Sequence, residues 1–101
     1  MRQIVVRYKA KPEMVEENAR LIGKVFEELR ATAPEGIGYL VLKLADGTFI
    51  HVSFAEGEVT TAPLTKLAAF QAFQSKIKER TAEPPQQSDV TIVGNYRMLS
   101  E

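Results

Sequence analysis

The chain has no cysteine, no tryptophan, only one histidine and no net charge. Without cysteine there is no disulfide framework, no thiolate metal site and no thiol nucleophile. The lone histidine, His51, lies five residues before Glu56 on a candidate strand, so the two point to opposite faces and share no metal. The remaining carboxylates fall mainly on helix exteriors, and no metal or other cofactor is expected. The 13 Lys and Arg balance 13 Asp and Glu, which leaves no long-range field to attract nucleic acid or an anionic membrane. No apolar stretch approaches the length of a bilayer span, and Arg7 interrupts the apolar run that follows Met1-Arg2-Gln3, unlike a signal peptide. A cytoplasmic protein is expected, with neither a nucleic-acid nor a membrane partner.

What is present suits one globular unit. The 101 residues are 45% hydrophobic and 26% charged, which supports a single domain over 1–101 with one core. Ile4 to Tyr8 is β-branched and aromatic and reads as a strand. Pro12, with Glu13, Glu16 and Glu17, opens a helix whose buried stripe is Val15, Ile22, Val25, Phe26 and Leu29, and which Pro34 and Gly36 stop. Two apolar runs, Ile37 to Leu44 and Phe49 to Phe54, flank Asp46-Gly47 and predict a hairpin. Leu64, Leu67, Phe70, Phe73 and Ile77 form the apolar arc of a second helix, with Lys76, Lys78 and Arg80 as cations in its last turns. Glu83-Pro84-Pro85-Gln86-Gln87 reads as a loop before a last strand over Val90 to Met98. The order β-α-β-β-α-β predicts an α+β, ferredoxin-like antiparallel sheet with both helices on one face.

A two-residue Asp46-Gly47 turn would pair Leu42 with His51, Leu40 with Ser53 and Leu44 with Phe49 on one face. Tyr39, Val41 and Lys43 would pair with Phe54, Val52 and Ile50 on the other. Both faces are mostly apolar, and two helices cover only one. The other face, carrying Leu40, Leu42, Leu44 and Phe49, predicts a homodimer that packs sheet to sheet.

Chemical motifs are sparse. His51 and Ser53 share a face, but i and i+2 residues lie roughly 7 Å apart on a strand, too far for a direct pair. Gly36-Ile37-Gly38 precedes a strand and lacks a following Lys, so it is a turn rather than a phosphate loop. RNA-recognition motifs share this element order. Aligned on Val52-Ser53-Phe54, Phe49 and His51 fall at the stacking positions, but Gly47 stands where a basic residue belongs and Ile50 where a small one does. The alignment places Phe49, His51 and Ser53 on the face away from the helices.

Over essentially its whole length the chain resembles the dimeric α+β barrel proteins of the antibiotic-biosynthesis-monooxygenase-like superfamily. The resemblance rests on Val5-Val6-Arg7-Tyr8-Lys9 leading into Lys11-Pro12-Glu13, on the Asp46-Gly47 hairpin, on Leu67-Ala68-Ala69-Phe70-Gln71-Ala72-Phe73-Gln74, and on Val93-Gly94-Asn95-Tyr96-Arg97. It implies two sheets facing each other with helices outside, and a pocket between sheet and helices or inside the barrel. Characterised members include cofactor-free quinone-forming monooxygenases, haem-degrading enzymes and isomerase-like dimers. The haem-degrading set of Asn, Trp and His is not matched, because there is no Trp, and no catalytic residue carries over.

The residues then nominate His51 as the candidate catalytic group, with Phe49, Ser53 and Leu42 lining a site for a small apolar or aromatic molecule. Apolar surroundings would keep the His51 ring neutral and suit it to accept a proton from a phenol, with Ser53, a tyrosine, an arginine or the second subunit as its partner. The alternatives are a non-catalytic structural homodimer with His51 in its core, and an RNA-binding module.

Overall fold

The computed structural model describes residues 2–56 and 62–98. Strand β1 (Arg2–Ala10) leads through a short turn at Pro12–Met14 into helix α1 (Val15–Thr32). Strands β2 (Ile37–Lys43) and β3 (Thr48–Ala55) follow, then three short helices, α2 (Ala62–Thr65), α3 (Ala68–Gln74) and α4 (Ile77–Arg80), and strand β4 (Thr81–Asp89). The four-stranded sheet has the order β2-β3-β1-β4 with every neighbouring pair antiparallel, which is the ferredoxin-like topology. The helices lie on one face, and the core between them and the sheet contains Tyr8, Ile22, Val25, Phe49, Leu64, Leu67, Phe70 and Phe73.

The hairpin register differs from the sequence expectation by one residue. Gly47 donates its N–H to the Leu44 carbonyl (3.1 Å), and Leu44 N–H donates to the Thr48 carbonyl (2.8 Å). The loop is therefore Ala45-Asp46-Gly47, with Gly47 at φ 87, a left-handed position that glycine occupies without strain. Asp46 Oδ1 accepts the Thr48 N–H (2.9 Å) and holds the turn. Leu42 consequently pairs with Ile50, Val41 with His51 and Tyr39 with Ser53. A one-residue slip exchanges faces. Phe49, His51 and Ser53 look toward the helices rather than away from them, while Leu40, Leu42, Ile50 and Val52 share the outer face.

The second helix is interrupted twice. Leu67 is extended (ψ 137), and Ser75 is extended with Lys76 left-handed at φ 64; nothing in the sequence explains a lysine there. The last strand is also displaced. The Pro84-Pro85 segment, expected as a loop, belongs to β4, and after Val90 N–H bonds the Gln3 carbonyl (3.2 Å) no strand follows through residue 98. Its position at the sheet edge accounts for this, because an edge strand bonds on one side only and tolerates residues without an N–H. The β1–β4 register shifts between Arg7 and Ala10, opposite the prolines.

Candidate active site

Five elements bring a chain of polar groups to a cavity wall. On α1, Asn18 occupies the apolar stripe among Val15, Ile22 and Val25 and is completely buried. From β1, Tyr8 points inward and stacks on Phe49 (5.6 Å between ring centres). On β3, His51 lies between the two tyrosines, with Phe73 of α3 5.4 Å away. Tyr39 on β2 stacks against Phe26 of α1 (5.2 Å). Behind these, Arg80 at the end of α4 turns inward instead of standing as a solvated cation at a helix end. Its Cζ lies 5.1 Å from the Phe73 ring centre.

The hydrogen bonds run in series. Arg80 Nε donates to Asn18 Oδ1 (3.0 Å), and Asn18 Nδ2 donates to the Tyr8 hydroxyl (2.8 Å). Tyr8 Oη lies 2.8 Å from His51 Nε2, and Tyr39 Oη lies 2.6 Å from His51 Nδ1. Arg80 also donates to the carbonyls of Ser75 (3.2 Å) and Phe73, near the break between α3 and α4. Among the described residues no buried side-chain nitrogen or oxygen lacks a partner.

Burial shapes the titration of these groups. Loss of solvation pushes His51 down to about 4, so the ring is neutral at physiological pH. The same loss pushes Tyr8 up to about 12, partly opposed by the Asn18 hydrogen bond and the Arg80 charge. Tyr39 rises for the same reason, reinforced by Tyr8. Desolvation lowers Arg80, which nonetheless remains a cation. The site is therefore a neutral relay of hydroxyls and imidazole anchored on one buried positive charge.

The relay ends at a cavity of about 490 Å³ between the inner sheet face and helices α2 to α4. Ile4, Val6, Leu64, Phe70, Phe73 and Ile77 make most of the wall apolar, and Ser53, Thr65, Gln74 and Gln87 add polar points. The sequence candidates separate here. His51 and Ser53 line the cavity, Phe49 is buried beneath Tyr8, and Leu42 stands on the opposite face, 47% exposed and unable to reach a molecule beside His51. The cross-strand neighbour of His51 is Val41, not Leu42. Tyr8, Tyr39 and His51 all border the cavity, and both ring nitrogens of His51 are held by the tyrosine hydroxyls. Sequence reasoning named a tyrosine among the possible partners of His51 without choosing one, and it did not nominate Tyr8, Tyr39, Asn18 or Arg80 as members of the site. One signal was available: a polar residue at an apolar stripe position of α1.

The sequence matches no protein-family model and no curated protein. Solved structures are similar. A proposed antibiotic biosynthesis monooxygenase from Nitrosomonas europaea superposes with a TM-score of 0.76 at 16% identity, covering 93% of this chain and 100% of that one. One from Caulobacter crescentus CB15 gives 0.71 at 16% identity, covering 92% and 90%. Rv0793 from Mycobacterium tuberculosis gives 0.74 at 11% identity, covering 93% and 96%. The chain has the α+β fold of the antibiotic-biosynthesis-monooxygenase-like proteins.

Proposed function

We propose that the protein binds a small aromatic molecule carrying an oxygen substituent in the cavity beside Tyr39, and oxidises it as a cofactor-free, monooxygenase-like enzyme. The observation that carries this reading is the Tyr8–His51–Tyr39 relay opening onto a mostly apolar wall. A volume of about 490 Å³ lies in the range of small-molecule sites. In the proposed reaction a phenol and dioxygen give a quinone and water. One oxygen atom enters the ring, and the other leaves with the hydrogens of the ring carbon and the hydroxyl. The phenol gives its proton to water in the cavity and becomes the electron-rich phenolate that meets dioxygen, and a fixed hydroxyl dipole beside its oxygen stabilises the charge. His51, with its low proton affinity, is a poor final base, and its part is to orient Tyr39.

The reading includes a cytoplasmic homodimer. Leu40 and Leu42 are 46% and 47% exposed and lie beside Ile50 and Val52 on the outer sheet face, where a second copy would remove them from water at ~25 cal/mol per Å². Titration with 1-naphthol, followed by fluorescence and oxygen uptake, tests the enzyme. Saturable binding with quinone formation, lost in the cavity-filling Ser53→Phe, is expected. Absence of binding, or binding unchanged in Ser53→Phe, overturns the proposal and favours the non-catalytic reading.

A further inference from the structure

We infer that Asn18 and Arg80, at the end of the relay remote from the cavity, are positioning residues that fix its direction, so that Tyr39 donates into the cavity and the ligand there is a hydrogen-bond acceptor: a ketone, quinone or phenolate oxygen on an apolar ring system. This rests on reading the cavity as a ligand site, and it adds the polarity of the ligand.

The direction follows from counting protons. A guanidinium has donors only, so the oxygen of the Asn18 amide must face Arg80 Nε at 3.0 Å. The amide NH₂ then faces Tyr8 and donates to its hydroxyl oxygen at 2.8 Å. Tyr8 borders the cavity but is only 2% exposed, and its hydroxyl sits between Asn18 and His51, so its own proton turns to an acceptor within the protein. That acceptor is His51 Nε2, 2.8 Å away. In the opposite tautomer, Nε2–H would also donate to Tyr8, and the Tyr8 proton would be stranded in the core. A neutral imidazole with a bare Nε2 carries its hydrogen on Nδ1, which donates to the Tyr39 oxygen at 2.6 Å. The direction of every bond along the relay is thus fixed, the Tyr39 hydroxyl proton is left over at its end, and Tyr39 lines the cavity. An oxygen with lone pairs completes the series, whereas a group offering only N–H does not.

The substitution that inverts the relay is Asn18→Asp. It keeps size and leaves Arg80 an acceptor, but a carboxylate accepts from Tyr8 instead of donating to it. Tyr8 must then accept from His51 Nε2–H, Nδ1 is bare and accepts from Tyr39, and the Tyr39 oxygen presents lone pairs to the cavity. Nitrogen-15 NMR of the ligand-free protein reads the tautomer directly: Nδ1–H is expected in the wild type and Nε2–H in Asn18→Asp. Arg80→Lys, another donor-only cation, should retain Nδ1–H. The matched probes 1-tetralone and tetralin differ by one carbonyl. The wild type should prefer the ketone about tenfold, the equivalent of one hydrogen bond, and the preference should fall to about twofold or less in Asn18→Asp and in Tyr39→Phe. Nε2–H in the wild type overturns the inference without any variant. An unchanged tautomer in Asn18→Asp, or a ketone preference that survives in both variants, overturns the positioning role. Failure of the wild type to bind either probe would overturn the ligand site alone, and the NMR result would still decide the direction of the relay.

Discussion

At His51 a buried imidazole is held on both nitrogens by tyrosine hydroxyls, and its 6% exposure leaves little water to solvate a charge. Protonation in the folded state is therefore disfavoured, with the group near 4 instead of 6.5. The unfolded chain takes up this proton first, so the contribution to stability is complete above about pH 6.5. It declines as pH falls from there toward about 4, by about 3 kcal/mol in all. Urea unfolding followed between pH 7.5 and pH 4.5 should show the midpoint falling with acidification (about two pH units inside this window). His51→Gln, which cannot titrate, should flatten that slope; an equally steep slope would place the acid sensitivity in carboxylates. The same burial that makes His51 a weak base keeps its ring neutral and its hydrogen bonds fixed across the physiological range.

Among the elements, the interrupted helical segment closes the cavity, and α1 fastens it. Glu28 accepts the Ala68 N–H (3.1 Å) and the Ala69 N–H (2.9 Å) with its two carboxylate oxygens, capping the start of α3 from outside that helix. Loss of a helix N-cap costs about 0.5–2 kcal/mol. Glu28→Ala is expected to speed hydrogen exchange across Phe70 to Phe73 while leaving β1 and β3 protected, as read by exchange and mass spectrometry. Uniform acceleration in helix and sheet would mean that α3 does not open separately. Strands β1, β2 and β3, helix α1 and the ferredoxin-like order were legible because alternation and helical spacing reflect burial directly. The last strand was not. Pro84 and Pro85 argue against a strand only where both edges are bonded, while Val90 to Val93 has strand propensity without a partner strand. The site was half legible. His51 and Ser53 stood out as rare or polar side chains on an apolar strand, but their facing rested on the RNA-recognition-motif alignment, and their β2 partners depended on whether the turn held two residues or three. The partnership of Asn18 with Arg80 spans 62 residues and leaves no local pattern.

For the molecule as a whole, the sheet has one covered face and one open one. If a second copy covers the open face, Leu42→Asp buries a carboxylate in the interface beside Leu40, Ile50 and Val52, where its desolvation opposes dimerisation. Light scattering at micromolar concentration should then report the 11.3 kDa chain, against a doubled mass for the wild type. A wild type that scatters as a monomer refutes the dimer, and a Leu42→Asp protein that stays dimeric moves the interface elsewhere. The relay also bears on how the chain is made. Its hydrogen bonds join residues 43 apart, between Tyr8 and His51, and 62 apart, between Asn18 and Arg80. During synthesis, α1 emerges long before α4. Until Arg80 leaves the ribosome, closing α1 over β1 would bury the Asn18 carbonyl without its donor, so a partly made chain gains little by folding early. Ordering of the first half is thereby deferred until the second half exists, and the domain is set up to fold in one late, cooperative step.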